Sequence, residues 1–160
     1  MDYKELSWLA AMGIVASARE IMMRLGAQAL GGYALCVDDS LRSLFAMAAS
    51  ASMLSTRDDE VRFVPVDWDY EDDTDALDSA NAALAALADG TNDYSAHIRL
   101  AFAALVDALD DVRKGGVFPS SVTLLVTSTD PGETTLRLAE EAVLKLNNAK
   151  TQRAFRDAMR

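Results

Sequence analysis

At 160 residues, with 51% hydrophobic residues, the chain has the size of one domain that can build its own apolar core without metals or disulfides. Its single cysteine, Cys36, excludes an internal disulfide and fits a reducing, cytoplasmic location. The formal charge of −10 argues against nucleic acid and anionic membrane as partners and is unevenly spread, with net −9 from Asp58 to Asp78 and net +4 from Lys145 to Arg160.

Apolar residues at three- and four-residue spacing (Leu6, Leu9, Ala10, Gly13, Ile14, Ile21, Leu25, Ala29) predict one long amphipathic helix from Tyr3 to about Leu30, closed by Gly31-Gly32. Leu6 to Ala16 followed by Ala16-Ser17-Ala18 has the look of a secretory signal. Asp2 and Glu5 beside Lys4 remove the positive n-region such a signal needs, and helical spacing continues past the cleavage site. No apolar run approaches the ~18 residues of a membrane span.

Tyr33–Val37 and Leu41–Met47, joined by Asp38-Asp39-Ser40, predict a β-hairpin. Ala48 to Thr56 reads equally as strand end or helix. Val61 to Val66 predicts an extended segment, with Pro65 at a sheet edge because proline cannot donate to a ladder. Thr74 or Asp73 is the expected cap of a helix carrying Leu77, Ala80, Leu84 and Leu87, ended by Asp89-Gly90.

Asn92-Asp93 starts the next helix, whose stripe of Ile98, Phe102, Leu105, Leu109 and Val112 stops at Gly115-Gly116. The β-branched run Val122–Thr127 predicts a strand central to the sheet. Asp130-Pro131-Gly132-Glu133 opens a helix with Leu136, Ala139, Val143 and Leu146 inward, and Asn147-Asn148 breaks it before a short helix using Ala154, Phe155 and Met159. The pattern is one α+β domain over residues 1–160. It predicts a small, mainly antiparallel sheet, made of the hairpin and the strand near 121–127, covered mainly on one side by the long first helix and three or four more.

The composition centres on Phe63–Asp78, where Trp68 and Tyr70 sit among carboxylates. Residues two apart on an extended segment share a side, so both aromatics are expected on the core while the acids face water. Asp67, Asp69, Glu71, Asp73, Asp75 and Asp78 fall at positions one, three, five, seven, nine and twelve of a calcium loop. Position six is Asp72 where the sharp turn needs glycine, and position twelve lacks the longer Glu, so no metal is expected. His97, the only histidine, has no orienting or nucleophilic partner in sequence and reads as a helix-surface or half-buried residue. The glycine pairs make neither GxGxxG nor a Walker loop, so no cofactor is expected. Cys36, with no activating neighbour, reads as a small buried apolar residue.

Four segments in order, YALCVDDSLRSLFAMAAS, VPVDWDYE, VTLLVTSTD and AVLKLNN, behind a long N-terminal helix, resemble the bacterial domain of unknown function 4303 family. The shared positions are Tyr33, Asp38, Asp39, Pro65, Trp68, Tyr70, Glu71, Asp130, Leu146 and Asn147; Glu141 departs from the small hydroxyl residue expected there. The resemblance implies an immunity protein of polymorphic toxin systems, not an enzyme, that binds and neutralises a cognate toxin. Acidity points to a basic toxin domain, met by Asp67, Asp69, Glu71, Asp72, Asp73, Asp75 and Asp78, while Pro65, Trp68, Tyr70, Asp38, Asp39, Asp130 and Asn147 serve the fold. Two alternatives stay open: a small enzyme or ligand-binding domain using Asp38, Asp39, Glu71 and Asp130, and a homo-oligomeric regulatory module.

Overall fold

The computed structural model describes residues 1–26, 28–56 and 58–160. Along the chain run α1 (Tyr3–Leu25), β1 (Leu30–Val37), β2 (Leu44–Ser50), α2 (Ala51–Thr56), α3 (Asp59–Arg62), a 3-10 turn (Pro65–Asp67) and β3 (Tyr70–Glu71). There follow α4 (Asp78–Asp89), α5 (Tyr94–Lys114), β4 (Thr123–Ser128), α6 (Glu133–Leu146) and α7 (Ala149–Ala158). The α+β expectation holds, with a four-stranded sheet in the order β3-β2-β1-β4. Its β1/β2 and β2/β3 pairs are antiparallel and its β1/β4 pair parallel, so the sheet is mixed.

The sheet has a core on each face, which follows from the period of two along its strands. Tyr33, Leu35 and Val37 of β1 and Leu44, Ala46 and Ala48 of β2 point into the larger core, shared with α1, α4 and α5. Ala34, Cys36, Met47 and Ala49 point into a smaller one with Phe63, Trp68, Leu125 and Val143, against which Phe155 packs. Helices α1, α4 and α5 therefore dominate one face, while Phe63 and Trp68, Met53 and Leu54 of α2, Val143 of α6 and Phe155 of α7 close the other.

β4 is an edge strand, not the central one. Its apolar run reflects burial on both faces, with Leu124 and Val126 in the larger core and Leu125 in the smaller. The free edge is sealed locally by Asn147, whose amide accepts from the Leu124 N–H at 2.8 Å and donates to the Leu124 carbonyl at 2.7 Å. Asn81 of α4 repeats the device on Leu44 at the start of β2, at 2.7 and 2.8 Å.

The first helix ends at Leu25, short of the expected Leu30. Asp2 caps its start by accepting from the Glu5 N–H, and Gly26 closes its end at φ 60°, a left-handed conformation suited to glycine. The expected helix end also covers Ala27, which lies outside the described residues. Gly31 and Gly32 lie inside β1, where a Cβ on Gly32 would come within 2.7 Å of the Trp68 ring and one on Gly31 within 2.6 Å of the Ala51 backbone. Glycine is there for close approach, not for a helix stop.

By length and composition α1 is apolar enough to cross a membrane, a test that the core helix of a globular fold also passes, and 39% of its most apolar window is buried within the fold. Four further expectations shift. The return strand runs Leu44–Ser50, because Asp38–Ser43 form a wider turn in which Leu41 takes φ 50°. Val61–Val66 is α3 and a 3-10 turn rather than extended chain, and buried Pro65 begins that turn, where its fixed φ is no obstacle. Helix α4 starts at Asp78 behind Leu77, later than a cap at Asp73 or Thr74 would place it, since Asp72 turns the chain first. Leu136 of α6 and Met159 are exposed rather than buried.

Candidate partner-binding surface

The acidic stretch begins on the sheet's β3 edge and ends at the start of α4. Its backbone is fixed by three anchors. Trp68 is buried over Gly32 and donates its indole N–H to the Val61 carbonyl at 3.2 Å. Tyr70 is half-buried against the larger core opposite Ala48. The Asp72 N–H donates to the Ala46 carbonyl at 2.9 Å. Both aromatics pack inward, but into opposite faces of the sheet, because the 3-10 turn ends directly before Trp68 and only Tyr70 and Glu71 pair with β2.

The seven acids divide by what holds them. Asp69 accepts from the Ser50 N–H and hydroxyl at 3.2 and 3.1 Å, tying the stretch to the end of β2. Asp72 accepts from the Thr74 N–H and hydroxyl at 2.9 and 2.6 Å. Asp73 meets Arg24 of α1 at 2.7 Å, and the hydrogen bond and charge of that guanidinium hold its carboxyl below the usual range. Asp67, Glu71, Asp75 and Asp78 are exposed, and among the described residues their carboxylates have no hydrogen-bond or ion-pair partner. Nor do any three acids, histidines or cysteines among the described residues gather in a way that could hold a metal ion.

The four carboxylates of the enzyme alternative are kept apart. Glu71 lies on one edge strand, and Asp130 follows the other. Asp38 is occupied by its own turn, accepting from Ser40 Oγ, the Arg42 and Ser43 N–H groups and Ser43 Oγ. Burial alone would raise its carboxyl, but those four donors lower it, the opposite of a carboxyl poised as a general acid. Asp39 and Asp130 are exposed, and Asp39 Oδ1 lies 3.6 Å from where a Cβ on Gly132 would stand. None of the four lines the concavities between α1, α5 and α6, or the one between β4, α6 and α7.

His97 is buried rather than at the surface. Its Nε2 lies 2.9 Å from the Leu41 carbonyl, so that nitrogen carries the hydrogen, and Nδ1 accepts from the Tyr3 hydroxyl at 3.0 Å. The ring thus ties α1 and α5 to the left-handed residue of the hairpin turn. No local pattern marks this role, because both partners are remote in the chain. Cys36 is buried, and burial, with Glu71 adding to it, pushes its thiol up to about 12, so it is no nucleophile.

No curated protein and no solved structure matches the chain. A family described as a domain of unknown function (DUF4303) matches residues 12–148, a span that takes in every strand, the whole acidic stretch and the Asn147 clamp. On that match the chain belongs to the DUF4303 family.

Proposed function

We propose that this chain is an immunity protein that neutralises a cognate bacterial toxin by binding it directly, its acidic β3–α4 surface facing a basic toxin domain. The observation that carries the reading is the division among the acids. Three are fixed to the fold, while Asp67, Glu71, Asp75 and Asp78 stand exposed on a backbone that Trp68 and Tyr70 hold in place. A pre-ordered row of unneutralised carboxylates attracts a basic surface at range and loses little entropy on contact. The dispersal of Asp38, Asp39, Glu71 and Asp130 supports binding over carboxylate chemistry.

The test is co-expression with the product of the adjacent open reading frame. A stoichiometric complex and suppression of that product's toxicity are expected. Replacing Asp67, Asp75 and Asp78 by Asn and Glu71 by Gln together should leave the chain folded, slow association about tenfold or more at low salt and flatten the salt dependence. A non-toxic neighbour that never co-purifies overturns the reading.

A further inference from the structure

Helix α1 buries one face and leaves another uncovered, on which large apolar side chains stand exposed between Glu5 and Arg19. Leu6, Ala10, Ile14, Ala18, Ile21 and Leu25 enter the larger core. Round the helix, Trp8 is 61% exposed, Met12 55% and Met23 78%, with exposed Ala16 and half-buried Val15 between them. An open concavity of about 310 Å³ runs beside this stripe, lined by Trp8, Ala11, Met12 and Val15 on α1, by Asp111 and Val112 on α5, and by Gly115 and Val117 just beyond it. A surface helix of a solitary domain normally turns polar residues outward, and contiguous large apolar side chains mark a contact.

The order of residues along this face identifies the occupant. In two antiparallel helices related by a two-fold axis through Met12, positions equally far from Met12 face each other. Glu5 and Arg19 stand seven residues to either side, two helical turns, and so share the exposed face while carrying opposite charges. Arg19 has no carboxylate partner among the described residues, and Glu5 has only the chain's terminal amine at 3.8 Å. Trp8 and Ala16 stand four to either side, pairing the largest side chain on the face with the smallest. Trp8 of the second helix would stand among Met12, Val15, Ala16 and Arg19, whose spacing is that of the four residues that receive a knob in helix packing. Met12 meets its own copy on the axis.

We infer that α1 is the interface of a homodimer in which two copies pack antiparallel across a two-fold axis at Met12, with Trp8 seated over Ala16 and Glu5 paired with Arg19 of the second copy. A lipid surface fits less well. An interfacial helix keeps its charges on the side away from its apolar stripe, whereas here Glu5 and Arg19 lie within the stripe and the opposite side is the protein core. The acidic stretch borders the same helix where Asp73 meets Arg24, but none of its seven carboxylates enters the Met12-centred pairing, so the dimer stands or falls independently of the proposed function.

Sedimentation equilibrium of the full chain over a wide concentration range should give a species of twice 17.2 kDa. Trp8→Lys and Met12→Lys, both at exposed positions, should give monomers with unchanged circular dichroism. Glu5→Arg alone and Arg19→Glu alone should each weaken the dimer about tenfold or more, since two symmetric attractions become repulsions, and the double variant should recover most of that loss. A wild-type chain that stays monomeric overturns the proposal, as does a dimer indifferent to Trp8→Lys, or a folded double variant that dimerises no better than the single ones. A monomer that cosediments with phosphatidylcholine or phosphatidylglycerol vesicles through Trp8 also overturns it, in favour of a lipid contact.

Discussion

Asn147 holds Leu124 at both of its peptide hydrogen-bonding groups, accepting from the N–H at 2.8 Å and donating to the carbonyl at 2.7 Å, as a neighbouring strand would. The same amide donates to the Val143 carbonyl at 3.1 Å, closing the end of α6. Asn147→Ala leaves both Leu124 groups unpaired in a buried setting and should cost about 2 kcal/mol or more, and Asn147→Asp should be no milder because the carboxylate would oppose the Leu124 carbonyl. Urea unfolding curves measure the loss; the equivalent Asn81 change provides an internal comparison at β2.

Trp68 and Gly32 form a matched pair, the ring occupying the space where a Cβ would stand. Gly32→Ala should cost about 1–3 kcal/mol, because the buried indole cannot retreat without losing its hydrogen bond to Val61. Trp68→Ala should cost about 3–5 kcal/mol and free the acidic stretch from its anchor. Thermal unfolding gives both values, and amide exchange at residues 69–75 reports the release.

What is legible in the sequence follows a physical line. Periodic features within one element are readable: the α5 stripe and its start at Asp93, which accepts from the Ala96 N–H, lie where spacing places them, and Asn147-Asn148 does separate α6 from α7. Features set by tertiary approach are not. Gly31-Gly32 carries the same local signal as a helix stop, and only the Trp68 ring and the Ala51 backbone explain its place in a strand. β4 reads as central because burial on both faces gives the same apolar run as a paired interior strand. At the candidate surface, the acids are visible as composition, but their division into fixed and free depends on Ser50, Thr74 and Arg24, each remote from or unmarked by the sequence pattern.

Asp38 makes stability sensitive to acid. Its folded pKa lies below the ordinary 3.8, so its contribution is complete above that value and is lost as pH falls from 3.8 through the depressed folded value. Asp38→Asn should flatten that part of the stability-against-pH curve and loosen the turn that presents Leu41 to His97. Urea midpoints measured from about pH 5 down to about pH 3 would show it, and parallel curves for the two proteins would refute it.

Cys36 should resist alkylation in the folded chain at neutral pH and react fully once unfolded, since its thiol is buried and pushed up to about 12. Mass spectrometry after brief iodoacetamide treatment, with and without denaturant, distinguishes the states. Rapid labelling under native conditions would mean that β1 is locally open.

The parallel pairing of β1 with β4 has a bearing on synthesis. Tyr33 has its antiparallel neighbour Ala48 almost at once, but its other neighbour, Leu124, is made only after α4 and α5 have been completed. Until then the interior strand of the finished sheet is an open edge, rich in apolar side chains and able to accept any strand that reaches it first. A ribosome-bound intermediate stalled before β4 should therefore be the most aggregation-prone form of this protein, and completing the chain through Asn147 is what ends that exposure.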